Sequence, residues 1–132
     1  MKLNLFSVIA LLATSTLVGI NSPGNATPSN YQETCNHISV SGNVLSANCR
    51  RRNGTFNKTS IVLRGIENIN GTFKVNNPAK VSNYQLTCDD IRIRGNHLTA
   101  TCKRTNGTLK RTSIFLQGIK NINGVLKYSS SS

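Results

Sequence analysis

The chain says nearly the same thing twice. Residues 29–75 lie over residues 82–128 at a constant offset of 53 with no gap, and about 27 of the 47 aligned positions are identical. S-N-Y-Q recurs at Ser29–Gln32 and Ser82–Gln85, N-G-T at Asn53–Thr55 and Asn106–Thr108, and T-S-I at Thr59–Ile61 and Thr112–Ile114. N-I-N-G recurs at Asn68–Gly71 and Asn121–Gly124. Such a repeat dictates architecture before any single residue does. Two copies are too few for a solenoid, and a copy of about 50 residues is marginal for a core of its own. The copies are therefore expected to build one domain jointly. Its parts are repeat one (29–75), a linker (76–81), repeat two (82–128) and a serine tail (129–132).

Within a copy the pattern is short strands and turns. Ile38 and Val40 alternate with polar residues, Ser41-Gly42-Asn43 turns the chain, and Leu45, Ala47 and Cys49 alternate again. Asn53-Gly54 signals a second turn, Thr59-Ile61-Leu63 a third strand and Asn70-Gly71 a closing hairpin. Copy two repeats this with Ile91/Ile93, Gly95-Asn96, Leu98/Ala100/Cys102, Asn106-Gly107, Ile114/Leu116 and Asn123-Gly124. No segment sustains a helical period, so the fold class is all-β.

Residues 1–26 read as a secretory leader, with Lys2, an apolar run from Leu3 to Leu12 and a small-residue exit at Ala26. The apolar run falls short of the roughly 20 residues that a membrane-spanning helix needs. Residues 27–132 are then one secreted, extracellular domain. Its four cysteines, Cys35, Cys49, Cys88 and Cys102, read as structural disulfides. A zinc site would use much closer Cys/His pairs. Four cysteines allow three pairings. Gly42 lies midway between Cys35 and Cys49, and Gly95 midway between Cys88 and Cys102, so folding each hairpin at its glycine favours Cys35–Cys49 and Cys88–Cys102. By strand parity Cys35 would face away from Ile38 and Val40, which demands a bulge or an irregular start.

The order of these motifs resembles the cyanovirin-N homology family. Its pattern is aromatic-x-x-T-C, C-[RK]-R-x-N-G, T-S-I and I-x-N-[IV]-x-G-x-[LF]-K in tandem copies. Here it falls at Tyr31–Cys35, Cys49–Gly54, Thr59–Ile61 and Ile66–Lys74, then Tyr84–Cys88, Cys102–Gly107, Thr112–Ile114 and Ile119–Lys127. The resemblance implies an elongated, two-lobed, pseudo-symmetric fold in which the repeats exchange strands and each lobe keeps one intra-repeat disulfide. It implies a mannose-binding lectin for oligomannose glycans with Manα1-2Man termini, with one site per lobe and neither metal, cofactor nor catalysis.

Carried over residue by residue, the resemblance implies a first carbohydrate-binding site from Asn30, Glu33, Thr34, Arg50, Arg52, Asn121, Ile122 and Asn123. The second is implied from Asn83, Leu86, Thr87, Lys103, Thr105, Glu67, Asn68, Ile69 and Asn70. The chain departs from the family pattern at several of these. Arg50 stands where an acidic residue is usual, Asn70 and Asn123 replace aspartate, Leu86 replaces glutamate, and Thr105 replaces a basic residue. Fewer carboxylates leave fewer charge-assisted hydrogen bonds to sugar hydroxyls.

Sixteen Lys and Arg against four Asp and Glu give a net charge of +12. That excess supports an alternative function, a basic secreted protein that binds nucleic acid, acidic polysaccharide or a membrane surface. Scarce aromatics argue against single-stranded nucleic acid. Neither a repeated histidine nor a close carboxylate pair offers acid–base catalysis, so no enzyme is expected. Asn25, Asn53, Asn57, Asn70 and Asn106 open N-glycosylation sequons. Pro78 in the linker is compatible with either a monomer or a strand-exchanged dimer.

Overall fold

The computed structural model describes residues 27–129. The expected leader with Asn25, and residues 130–132 of the serine tail, lie outside the described residues. Ten strands run in chain order: Cys35–Ser41 (β1), Val44–Arg50 (β2), Phe56–Val62 (β3), Ile66–Ile69 (β4), Thr72–Val75 (β5), Cys88–Arg94 (β6), His97–Lys103 (β7), Leu109–Phe115 (β8), Ile119–Ile122 (β9) and Val125–Tyr128 (β10). Each repeat contributes an antiparallel three-stranded sheet (β1-β2-β3 or β6-β7-β8) and a two-stranded hairpin (β4-β5 or β9-β10). The all-β expectation holds. Leu63 and Leu116, placed in strands by the alternation, instead lie just past the ends of β3 and β8, where both are buried.

The parity conflict at Cys35 is resolved by a bulge. Asn36 pairs with Asn48 and Ser39 with Ser46, so His37 and Ile38 together oppose Ala47. His37 takes a positive φ of 52° to make room. The extra residue turns the strand by one position, so buried Cys35 shares a face with half-buried Ile38 and Val40. Cys35 thereby lands opposite Cys49, and the two are disulfide-bonded. Asp90 performs the same manoeuvre in repeat two, bringing Cys88 opposite Cys102. Closing a loop of about 15 residues contributes on the order of 3 kcal/mol in the chain-entropy model.

The hairpins are exchanged between the repeats. In the β9-β10 hairpin Leu126 N–H donates to Thr59 Oγ1 of β3 (3.1 Å), and in the β4-β5 hairpin Phe73 N–H donates to Thr112 Oγ1 of β8 (3.0 Å). The reason lies in the S-N-Y-Q motif. Ser29 and Ser82 are 2% and 1% exposed, and their hydroxyls accept from Ile119 N–H (2.8 Å) and Ile66 N–H (2.9 Å), the first residues of the incoming hairpins. A buried hydroxyl without a partner would be costly, so the start of each repeat demands the end of the other. The tyrosines of the same motif begin single-turn 3-10 helices, Tyr31–Glu33 and Tyr84–Leu86, which the periodicity did not show. Both rings are fully buried, and Phe73 meets Tyr84 edge-on at 5.2 Å. Their hydroxyls cross between repeats, Tyr31 donating to the Gly95 carbonyl and Tyr84 to the Gly42 carbonyl. Burial pushes both phenols above their ordinary value, so they stay protonated donors.

Asn70-Gly71 and Asn123-Gly124 close the exchanged hairpins with positive φ at both positions, as a type I′ turn requires. At Gly124, with a φ of 89°, a β-carbon would also come within 2.7 Å of Arg51 Cγ and 3.2 Å of Asn57 Cβ, whereas at Gly54, with a φ of 90°, it would meet nothing within 4 Å. Gly124→Ala is therefore expected to destabilise more than Gly54→Ala. Gly54→Ala should cost about 1 kcal/mol for the strained backbone, and Gly124→Ala about 1–3 kcal/mol beyond that for the clash. Urea unfolding of the two variants checks this, with equal losses counting against the close approach.

Candidate functional site

Where an exchanged hairpin meets the loop after the second cysteine of the other repeat, side chains from distant parts of the sequence converge. In the first half, Thr34, Arg50, Arg51, Arg52, Gly54, Asn121, Ile122 and Asn123 line an open cleft of about 580 Å³. Six of the eight residues expected for this site are among them. Asn30 and Glu33 are not in the lining, and Arg51 and Gly54, which were not expected, are. Arg51 could have been found from the sequence only as the middle member of an arginine triplet.

Asn121 is the hub of this cleft. Its Nδ2 donates to Thr34 Oγ1 (2.8 Å) and to the Arg50 carbonyl (3.0 Å), while its Oδ1 accepts from Gly124 N–H (2.7 Å). Asn123 Oδ1 accepts from Arg52 N–H (2.9 Å). The asparagines thus pin the hairpin against the loop of residues 50–55. Asn57 adds a further tie, its Nδ2 donating to the Gly124 carbonyl (2.7 Å) and its Oδ1 accepting from Arg51 (2.9 Å). Arg51 also donates to Thr55 Oγ1 (3.2 Å), so its guanidinium is held along the cleft wall.

The second half repeats the framework. Asn68 Nδ2 donates to Thr87 Oγ1 and the Lys103 carbonyl, both at 2.9 Å, and its Oδ1 accepts from Gly71 N–H (2.7 Å). Asn70 Oδ1 accepts from Thr105 N–H (3.0 Å) and from the Thr105 hydroxyl (3.1 Å). Asn68, Asn70, Thr87, Lys103 and Thr105 are therefore brought together as expected. Ile69 pairs with Thr72 beside the turn, as Ile122 pairs with Val125. Asn83 and Leu86 lie at the 3-10 turn, where Leu86 N–H bonds the Asn83 carbonyl, and Leu86 is 77% exposed. Glu67 meets Asn76 at 3.4 Å rather than Thr87 or Lys103.

The two halves differ in charge. Arg52 is matched by Thr105, whose hydroxyl is already engaged, and Glu67 on β4 is matched by Lys120 on β9. The two ion pairs among the described residues both use Asp90, with Arg92 at 2.8 Å and Arg111 at 3.0 Å. These cations hold the Asp90 carboxyl below its usual range. The sequons differ too. Asn53 and Asn106 are exposed, each bonding, among the described residues, only the threonine two residues on. Asn57 instead uses the very nitrogen that a glycan would occupy to hold Gly124.

Residues 31–128 match the CVNH domain. Among solved structures, the microvirin:mannobiose complex is similar at 31% identity and a TM-score of 0.61, covering 76% of this chain and 99% of that one. TbCVNH from T. borchii is similar at 26% identity and a TM-score of 0.65, with 76% and 99% covered. The MoCVNH-LysM module of the rice blast fungus Magnaporthe oryzae shares the fold at 19% identity and a TM-score of 0.67, with 77% and 98% covered.

Because Asn121 makes three hydrogen bonds between distant segments, Asn121→Ala is expected to cost roughly 1–3 kcal/mol of stability. Asn68→Ala should cost a similar amount. Chemical denaturation checks both, and a loss confined to ligand binding with unchanged stability would contradict the structural role.

Proposed function

The chain belongs to the CVNH family, and from that premise we propose that it is a secreted lectin for mannose-type glycans with up to two sites per chain. The observation that carries the reading is the convergence of Thr34, Arg50 and Arg52 with Asn121, Ile122 and Asn123 around one open cleft. That set joins the front of one repeat to the end of the other. A second set, around Asn68, Asn70, Lys103 and Thr105, is built on the same hydrogen bonds. The likeness to microvirin, a protein solved with mannobiose, supports a Manα1-2Man-type disaccharide as the ligand. Two disulfides and the leader-like start support an oxidising, extracellular setting.

An open cleft of polar groups binds a sugar weakly. Each neutral hydrogen bond is exchanged against water and contributes about 1 kcal/mol. Two such sites on one body raise the effective affinity for a branched or clustered glycan through avidity. Asn70 lies in the turn of the second set and opens a sequon, so a glycan there would cover that site and leave a univalent lectin. Binding to anionic polymers is the second reading, favoured by the many cations that have no acidic partner among the described residues. Salt separates the two, because screening weakens attraction between exposed charges far more than hydroxyl recognition.

Titration calorimetry with mannobiose is expected to show binding that survives both EDTA and raised salt. Binding to no mannoside would overturn the mannose reading, and loss in EDTA would overturn metal-free recognition. Protein made in a glycosylating host is expected to bind with half the stoichiometry if mass spectrometry finds Asn70 occupied. Equal stoichiometry at full occupancy would remove that role for Asn70.

A further inference from the structure

We propose that the cleft between residues 50–52 and 121–123 selects a sugar carrying an anionic substituent, namely a sulfate ester, a phosphate ester or a uronic carboxylate. This rests on the lectin reading and narrows it for one site. Three of the eight residues lining the cleft are arginines, and none is a carboxylate. Arg51 is fixed by Thr55 and Asn57 and sets a permanent positive charge along one wall. The guanidiniums of Arg50 and Arg52 have no hydrogen-bond or ion-pair partner among the described residues.

The hydrogen-bonding capacity left over points the same way. Each side-chain acceptor of the cleft already takes one hydrogen bond: Thr34 Oγ1 from Asn121, Asn121 Oδ1 from Gly124 N–H, and Asn123 Oδ1 from Arg52 N–H. Both Nδ2 protons of Asn121 are engaged as well. The side-chain donors that remain are the Arg50 and Arg52 guanidiniums, the Asn123 amide and the Thr34 hydroxyl proton, and they outnumber the single lone pairs left on Thr34, Asn121 and Asn123. A neutral sugar hydroxyl both gives and takes, and in such a cleft its own proton finds only the second lone pair of an oxygen that already accepts a hydrogen bond. An anionic oxygen only takes, and a guanidinium fork matches it with two parallel N–H bonds.

The second site carries this bias more weakly. Its loop carries Lys103, Arg104 and Thr105, Arg104 is tied to Thr108, and Glu67 occupies the β4 position that Lys120 holds on β9. The two halves therefore present a more and a less cation-rich site on a common framework.

The test is an NMR titration of the purified protein with mannobiose, its monophosphate, its monosulfate, a uronic-acid disaccharide and inorganic sulfate. At least one charged sugar is expected to bind about tenfold tighter than neutral mannobiose, since hydrogen bonds to charged groups are stronger. The amides of residues 50–54 and 121–124 should move, and raised salt should shrink the advantage. The three charged sugars identify which anion is favoured. The double variant Arg50→Gln, Arg52→Gln, shown to be folded by its melting curve, should lose the preference. Equal binding of charged and neutral sugars overturns the inference and leaves the lectin reading intact. Inorganic sulfate binding as tightly as the sugar sulfate also overturns it, as does a variant that keeps the preference. Binding of no sugar at all removes the lectin reading together with it.

Discussion

Everything in this structure depends on the exchange of hairpins, and two asparagines hold that exchange. Asn68 and Asn121 each give both amide protons to the opposite repeat and take one from their own turn. The amide is well suited to this because it presents two donors and a two-lone-pair acceptor in one plane. The buried serines fix the other end of each hairpin through Ile66 and Ile119. A hairpin of two four-residue strands has little stability alone. Clamped at both ends and packed through Phe73 or Leu126, it becomes part of a continuous core.

The consequence for the proposed function is that the groups proposed for recognition are also groups that stabilise the fold. Thr34, Asn121 and Asn123 line the cleft, yet their strongest partners are one another and the neighbouring main chain. What the cleft can offer a ligand is what this framework leaves unspent, and that remainder differs between the halves. The framework repeats at an offset of 53, whereas the charges placed on it do not: Arg52 against Thr105, Lys120 against Glu67, Glu33 against Leu86. A symmetric scaffold thus carries two chemically distinct surfaces. The ties are not symmetric either. Asn57 reaches the Gly124 carbonyl, while its counterpart Lys110 reaches Thr72 Oγ1 instead.

Much of the fold was legible because it rests on local rules. Alternation marked the strands, and Asn-Gly and Gly-Asn marked the turns. The midpoint glycines selected the disulfide partners, and the wrong parity of Cys35 announced the bulge that His37 makes. The 3-10 turns at Tyr31 and Tyr84 were not legible, since three residues carry no period. Nor were the ends of β3 and β8, where Leu63 and Leu116 are buried beyond the last strand pair.

The sequence by itself determined the all-β class, the repeat and the disulfides, which follow from spacing, and a chain carries its spacing wherever it folds. Most residues around the first cleft were implied by the resemblance to the cyanovirin-N homology family. Tertiary structure alone decided which of the site's hydrogen-bonding groups remain free. Arg51 and Arg52 are neighbours of one type in the sequence. The pairing of β2 with β3 brings Thr55 and Asn57 to the first guanidinium and holds it in the wall. Asn123 takes only the main-chain N–H of Arg52, and the second guanidinium has no partner among the described residues. Hydrogen-bond saturation is a property of pairs, and the pairs that Asn121 and Asn123 make here join residues about 70 positions apart.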